Sequence, residues 1–263
     1  MDNNFDDLLF RAGLCERAEK YNDMAEVMKK TVVALKEEKI ASKIKTRNLF
    51  SIAFKNLAGA RRSSWRILTS ELQKIENKEE KRLAIIKEYM KTVENELNEI
   101  CDDVLNSIDN AVLTNPCYSD PESRVFFLKM KGDYYRYKAE ICEDVVSEWE
   151  KVSLLSNDNY LQAAEAAKSL KSTNPVKLGL ALNYSVYLYE ISKDMKKALD
   201  VAKDAFDHAI AGLDELSEEH YKDSTLIMQL LRDNMTLWNN YEQTLKVEQE
   251  EQSRREMERE DEM

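Results

Sequence analysis

Apolar residues recur at spacings of three and four along almost the whole chain, and this period constrains the fold more than any other feature. Such spacing places apolar side chains on one face of an α-helix, whereas the period of two typical of a half-buried strand is nowhere sustained. Only five glycines and three prolines occur in 263 residues, so few positions interrupt a helix. The sequence therefore predicts an all-α fold.

Breaks in this pattern divide the chain into about nine predicted helices. The clearest break is TNPCYSDPES, where Ser119 or Asp120 is an expected N-cap and Pro121 suits the first turn of the next helix. Ser42 is one candidate cap for the third helix, and Asn157 or Asp158 is a candidate cap for the sixth. The predicted helices cover about residues 5–18, 22–32, 45–77, 79–110, 121 onward, 157–170, 176–192, 194–211 and 218–243.

Composition excludes several classes of function. A formal net charge of -11 argues against a general nucleic-acid binder, because phosphate backbones are met by basic surfaces. Neither the four scattered cysteines nor the two histidines fall in a metal-binding or catalytic motif, so we expect no metal, no cofactor and no enzymatic activity. An acidic N-terminal segment and the lack of a long apolar run predict no membrane insertion and a cytoplasmic location, with the nucleus as a second location.

The segment from Glu242 onward differs from the rest of the chain. It contains nine acidic and four basic side chains and few apolar ones. Because little apolar surface is available to bury, we expect residues 242–263 to form a disordered acidic tail.

A basic strip marks the third predicted helix. Lys55 and Arg62 are two turns apart and Arg66 is one turn further on, so all three project from one side of the helix. A solvated face paired with neighbouring carboxylates is the more common explanation of such a pattern. Arg136, directly before Tyr137, is a second cationic position. It would join this strip on a phosphate if the two helices pack together, although a paired arginine in an aromatic core is the more common explanation of this position alone.

Two later helices carry amides within apolar strips. Asn183 lies on one face with Val186 and Glu190, and Asn234 lies within a strip of large apolar residues near the C-terminal end. Apolar strips of this kind usually belong to the core. A buried amide needs hydrogen-bond partners, however, and the main chain of a bound peptide would supply them.

Four segments of the chain closely resemble the 14-3-3 family. RNLFSIAFKNLAGARRSSWR (47–66) and YKDSTLIMQLLRDNMTLW (221–238) resemble its two signature sequences, and KMKGDYYRY and LGLALNYSVYLYEI resemble internal blocks of the family. The resemblance implies nine antiparallel helices in a domain spanning 1–241, assembled into a cup-shaped homodimer with an amphipathic groove in each protomer. Helices within about 5–110 would form the dimer contact and the groove floor, and those within about 120–241 the groove wall.

The resemblance also implies roles for particular residues. The phosphate-binding positions are Lys55, Arg62, Arg136 and Tyr137. The clamp on the ligand backbone comprises Asn183, Asn234, Glu190 and Trp238, and the apolar groove comprises Leu182, Val186, Leu226, Ile227, Leu230 and Leu237. The dimer interface comprises Leu14, Ala18, Lys20, Asp23, Ser64, Tyr89 and Glu96.

Three features depart from the family pattern. KIKTRNL stands where acidic residues usually precede RNL, which alters the start of the third helix. Residues 143–160, with the additional Trp149, follow no pattern that we can assign. Thr92 stands where a lysine often pairs with the acid that Asp23 matches, so we expect a dimer with one ion pair fewer.

These observations predict a dimeric adaptor that binds phosphoserine or phosphothreonine motifs in client proteins and regulates their conformation, localisation or interactions. Its partners would be phosphorylated clients and a second copy of the chain or an isoform. The alternative is a helical scaffold that uses the same groove for acidic, unphosphorylated ligands, because carboxylates also form charge-assisted hydrogen bonds with arginine.

Overall fold

The computed structural model of the chain describes residues 4–75, 80–142, 145–216 and 218–261. Nine α-helices and no strand occur within these ranges, which confirms the all-α prediction. The chain divides into two compact units, Met1–Ser169 and Leu170–Met263. No helix in the described ranges is both long and apolar enough to cross a membrane.

The first unit contains six α-helices. Their bounds are α1 Phe5–Arg17, α2 Tyr21–Ala34, α3 Lys43–Lys74, α4 Glu80–Ser107, α5 Pro121–Ile141 and α6 Val146–Ala166. A 3-10 helix, Glu37–Ser42, leads into α3, and a π-helix, Ile108–Val112, continues α4. The predicted junction of α3 and α4 includes residues 76–79, which lie outside the described ranges, as do residues 143–144 of the segment before α6.

The second unit contains α7 Pro175–Glu190, α8 Met195–Ala211 and α9 Glu218–Asp261. The helix α9 is longer than predicted, because its backbone remains helical through most of the segment that we predicted as a disordered tail. Low apolar content does not prevent a helix, since glutamate, arginine and lysine all have high helix propensity. Residues 262–263 lie outside the described ranges.

Two of the expected helix starts are confirmed by capping hydrogen bonds. The Asp120 side chain accepts from the backbone N–H of Ser123 at 3.0 Å, directly before Pro121. Asn174 likewise accepts from the N–H of Val176 at 2.9 Å, directly before Pro175. These caps satisfy backbone donors that a first helical turn leaves without partners.

Two other helix starts differ from the prediction. Ser42 occupies the N-cap position of α3, as predicted, but its side chain makes no capping hydrogen bond. The helix α6 begins at Val146 rather than near Asn157 or Asp158, so both of these residues lie inside it. Polar side chains of this segment are used differently: the Ser156 hydroxyl donates to the carbonyl of Gly132 in α5 at 2.8 Å.

Aromatic and sulfur-containing side chains fill the core of the first unit. Met24 and Met28 of α2 are completely buried, together with Phe50 of α3 and Phe127 of α5. The Phe50 ring centroid lies 4.9 Å from that of Phe54 and 6.2 Å from that of Phe127. This packing fixes α3 against α5, and α3 and α5 carry the candidate phosphate-binding residues.

Gly132 allows α5 and α6 to approach closely. A Cβ atom at this position would lie 2.8 Å from Cδ1 and Cε1 of Tyr160, which is fully buried in α6. Gly59 of α3 is different, because a Cβ atom there would meet nothing within 4 Å. Packing therefore requires glycine at position 132 but not at position 59.

We predict opposite effects for alanine at these two glycines. Gly132→Ala should lower the free energy of unfolding by about 1–3 kcal/mol, because the new methyl group overpacks against a ring that cannot move away. Gly59→Ala should raise it by about 0.5–1 kcal/mol, since alanine favours helix without a clash. Urea denaturation of both variants measures this, and equal effects at the two sites would contradict the packing argument.

Candidate functional site

The structure brings Arg62 of α3 and Arg136 of α5 together around one carboxylate, Glu140. Arg62 donates two hydrogen bonds to it, from Nε at 2.9 Å and from Nη2 at 2.6 Å. Arg136 Nη1 lies 3.6 Å from the same carboxylate, and so does Nη2 of Arg66. Three guanidinium groups therefore share one acidic side chain, and the cluster that they form retains positive charge.

Tyr137 lies between the two inner guanidinium groups. The Cζ atom of Arg62 lies 3.9 Å from the Tyr137 ring centroid, and that of Arg136 lies 4.9 Å from it. Burial raises the pKa of the Tyr137 phenol, so the hydroxyl stays protonated and able to donate at neutral pH. The arrangement therefore combines cations with a neutral hydrogen-bond donor.

A second carboxylate, that of Asp133 one turn earlier on α5, also holds the Arg136 guanidinium group in place. Asp133 Oδ1 lies 3.3 Å from Nη2 of Arg136 and accepts a hydrogen bond from the Tyr160 hydroxyl at 2.6 Å. Lys129 also donates to the Asp133 carboxylate at 3.1 Å. Burial alone would raise the pKa of Asp133, but the Lys129 and Arg136 charges outweigh it, so the pKa lies below its ordinary value.

Burial also acts against the charge of Arg62, yet hydrogen bonding to Glu140 outweighs it and raises the arginine pKa. Arg62 therefore stays charged in a half-buried site. Its Nη1 group makes no hydrogen bond to any described residue, so this edge of the guanidinium group remains available to a ligand.

Lys55 lies two turns before Arg62 on the same side of α3. It is exposed, and within the described ranges it makes no ion pair or hydrogen bond. The more common explanation, a charged face neutralised by neighbouring acids, applies to Arg62 but not to Lys55. Sequence reasoning overlooked Glu140, although its position four residues after Arg136 on a helix could have indicated a pair.

In the second unit, the predicted apolar wall is only partly buried. Leu226, Leu230 and Leu237 of α9 are 59%, 43% and 64% exposed, whereas core leucines are almost fully buried. Leu182 and Val186 of α7 and Ile227 of α9 are half-buried. A strip of leucines usually belongs to the core, but this one faces away from it.

The four predicted clamp residues of the second unit have different environments. Asn183 and Asn234 are half-buried and Glu190 is exposed. Trp238 is only 3% exposed, and its ring stacks on Tyr189 with centroids 4.8 Å apart. Its indole therefore packs within the second unit.

The predicted dimer residues lie on exposed surfaces of the first unit. Leu14 is 46% exposed and Tyr89 is 59% exposed. The remaining predicted interface residues are also exposed: Ala18, Lys20, Asp23, Ser64 and Glu96. Glu96 accepts from Arg61 Nε at 3.1 Å, and the Ser64 hydroxyl donates to the carbonyl of Ala60 at 3.1 Å. Trp149 is half-buried in α6, and nothing in its surroundings assigns it a role.

The chain is similar to known proteins over most of its length. A family model described as 14-3-3 protein matches residues 11–239. A 14-3-3 protein homolog of Encephalitozoon cuniculi is 51% identical over 240 residues, covering 91% of this chain and 92% of that protein. The 14-3-3 protein zeta of Xenopus laevis is 48% identical over 255 residues, covering 95% and 98%, respectively. The 14-3-3-like protein 2 of Caenorhabditis elegans is 51% identical over 243 residues, covering 91% and 94%.

Asp133→Asn tests the support beneath Arg136. Removing one partner of this buried ion pair should lower the free energy of unfolding at pH 7 by about 3–5 kcal/mol. Because the folded-state pKa is depressed, the Asp133 contribution is fully present above the unfolded pKa and is lost as the pH falls through the folded pKa. In urea denaturation, the difference in unfolding free energy between wild type and variant should therefore stay constant from pH 7 to about pH 4 and narrow only below that.

The matched control is Asp109→Asn. Asp109 pairs with Lys131 at 2.7 Å, but its side chain is 45% exposed. We expect a cost of about 1 kcal/mol or less for this exposed pair. An Asp133→Asn effect as small as the control would contradict a supporting role for Asp133.

Proposed function

Since the chain belongs to the 14-3-3 family, we propose that it acts as an adaptor whose Lys55, Arg62, Arg136 and Tyr137 bind the phosphate of its clients. The chain binds phosphoserine and phosphothreonine motifs in client proteins and regulates their conformation, localisation or interactions. The observation that carries the residue assignment is the convergence of Arg62, Arg136 and Tyr137 in a cluster where one Glu140 carboxylate faces three arginines.

The chemistry of this cluster suits a phosphate group. A phosphoserine carries about -1.5 to -2 charges at pH 7 and offers three acceptor oxygens. Arg62 Nη1 and the Lys55 ammonium supply charged donors, and the Tyr137 hydroxyl supplies a neutral one. Charge-assisted hydrogen bonds of this type are about twice as strong as neutral ones, so phosphorylation should dominate affinity.

We propose that residues of the second unit also contact the client. Asn183 and Asn234 would hydrogen-bond to its main chain, with Glu190 and Trp238 beside them. The exposed leucines of α9 would contact its apolar side chains, since exposed leucines gain free energy when a ligand covers them. Binding of unphosphorylated acidic ligands is not the favoured function.

The 14-3-3 family comprises adaptor and scaffold proteins rather than enzymes, and we propose that this chain likewise catalyses no reaction. We propose a homodimer, with heterodimers between isoforms as a second form, located in the cytoplasm and the nucleus. The exposed Leu14 and Tyr89 support a dimer contact, because their apolar surface would be removed from water.

Lys55→Glu tests the assignment of the phosphate site. We expect the variant to lose measurable binding to a fluorescent phosphoserine peptide in fluorescence polarisation. The substitution removes a charge-assisted hydrogen bond of about 1.5–3 kcal/mol and introduces repulsion against the phosphate. Circular dichroism should be unchanged, because Lys55 is exposed and makes no ion pair with a described residue.

Lys151→Glu is the matched control. Lys151 is also exposed, but it lies on α6, which carries none of the proposed phosphate-binding residues. This variant should bind the peptide as the wild type does. Unchanged affinity in Lys55→Glu would refute the assignment of Lys55. A wild type that binds phosphorylated and unphosphorylated forms of one peptide equally would refute the function itself.

The dimer is tested by sedimentation velocity at micromolar and nanomolar concentrations. We expect a dimer at micromolar concentration that Leu14→Glu converts to a monomer, because a buried unpaired carboxylate opposes association. Leu154→Glu, at a residue of α6 that is 63% exposed, should leave the dimer unchanged. A wild-type monomer at micromolar concentration would contradict this proposal.

A further inference from the structure

One strip of residues runs along α3 well beyond the phosphate cluster. Its members follow at spacings of three, four or seven, so they lie on one side of the helix: Lys45, Asn48, Ile52, Lys55, Arg62 and Arg66. None of them is acidic, and four are cations. Three of these cations belong to the phosphate cluster or adjoin it, which leaves Lys45 at the opposite end without a function.

Neighbouring acids neutralise the cations on either side of Lys45 in sequence, but not Lys45 itself. Lys43 pairs with Asp120, and Arg47 Nη1 lies 3.0 Å from Glu122. Both acids stand at the start of α5. Lys45, between these two residues in sequence, is exposed and makes no ion pair within the described ranges.

Stability does not explain Lys45. It lies in the first turn of α3, which contains no acidic residue. The positive end of the helix dipole disfavours a cation at this position, and no side-chain cap offsets it. A fixed anion beside Lys45 would reverse this unfavourable interaction.

The distance along α3 defines where such an anion would lie in a ligand. Lys45 and Lys55 are ten residues apart, which is about 15 Å at the helical rise of 1.5 Å per residue. An extended peptide advances about 3.3–3.5 Å per residue. The position opposite Lys45 is therefore about three to five residues from the phosphorylated residue, once the length of the lysine side chains is allowed for.

We propose that Lys45 determines specificity by binding an aspartate or glutamate side chain of the client, three to five residues away from the phosphorylated residue. This inference rests on the proposed function, because it assumes that the phosphate lies at Lys55 and Arg62. A carboxylate matches Lys45 better than a second phosphate does, since one ammonium group offers a single charge without the paired donors of arginine.

The test compares four phosphoserine peptides that are otherwise neutral, with Glu or Gln either four residues before or four residues after the phosphoserine. For the wild type, the Glu peptide of one of the two pairs should bind about twofold to fivefold more tightly than its Gln counterpart, as for an exposed ion pair. Lys45→Gln should abolish this preference, and Lys151→Gln should retain it. The preference should also disappear at 1 M salt, where the Debye length is about 3 Å.

A charge reversal gives a second readout. Lys45→Glu should prefer a Lys peptide to the Glu peptide at the same position, which a general loss of affinity cannot produce. No Glu preference in the wild type at either position, or a preference that survives in Lys45→Gln, would overturn the proposal. Failure of the proposed function is distinguished because the wild type would then bind the neutral Gln peptides equally well with and without phosphate.

Discussion

The ion pair between Arg62 and Glu140 is the contact on which the candidate site depends. It joins α3 to α5 by two hydrogen bonds in a region where both side chains are mostly buried. Removing charges from water is costly, and a buried pair offsets this cost only when its geometry is good and its remaining groups are satisfied. Glu140 meets this condition with several arginines, and Asp133 meets it with Arg136, Lys129 and Tyr160. Each guanidinium group is therefore held by its neighbours before any ligand arrives.

Such preorganisation also depends on the contacts between α5 and α6. Tyr160 reaches Asp133 only because Gly132 leaves no side chain in its path. The Ser156 hydroxyl, one turn earlier in α6, uses the Gly132 carbonyl as its acceptor. Holding side chains in one geometry before binding reduces the entropy that a ligand must overcome. Under the proposed assignment of Arg136, the contacts that hold its guanidinium group contribute to affinity without touching the ligand.

Periodicity and caps made most of the fold predictable, because both are local properties of the sequence. Asp120 stands directly before Pro121 and caps its helix as expected. Pro175 marked the start of the next helix, which Asn174 caps. The start of α6 was not predictable in this way. Asn157 lies inside this helix, which packs against α5 and begins about three turns earlier, at Val146.

The candidate site was partly predictable. Spacing placed Lys55 and Arg62 on one face of a helix, but only the packing of α3 on α5 determines which acid meets which arginine. Exposure of the α9 leucines could not be predicted from periodicity, because an apolar strip alone does not reveal whether another helix covers it. Only the family resemblance placed these leucines in a groove.

A chain of net charge -11 that binds an anion must do so by local arrangement. At physiological ionic strength the Debye length is about 8 Å, so acids farther away along the surface are largely screened from a phosphate. The ion pairs of Arg62 with Glu140 and of Arg136 with Asp133 are 2.6 Å and 3.3 Å long, well below the Debye length. Burial of the two guanidinium groups lowers the screening further. Distant acids still repel an approaching phosphopeptide at low salt and act mainly on the association rate. Moderate salt should therefore weaken long-range repulsion before it weakens the phosphate contacts, which is the reverse of the behaviour of proteins that bind phosphates through a uniformly basic surface.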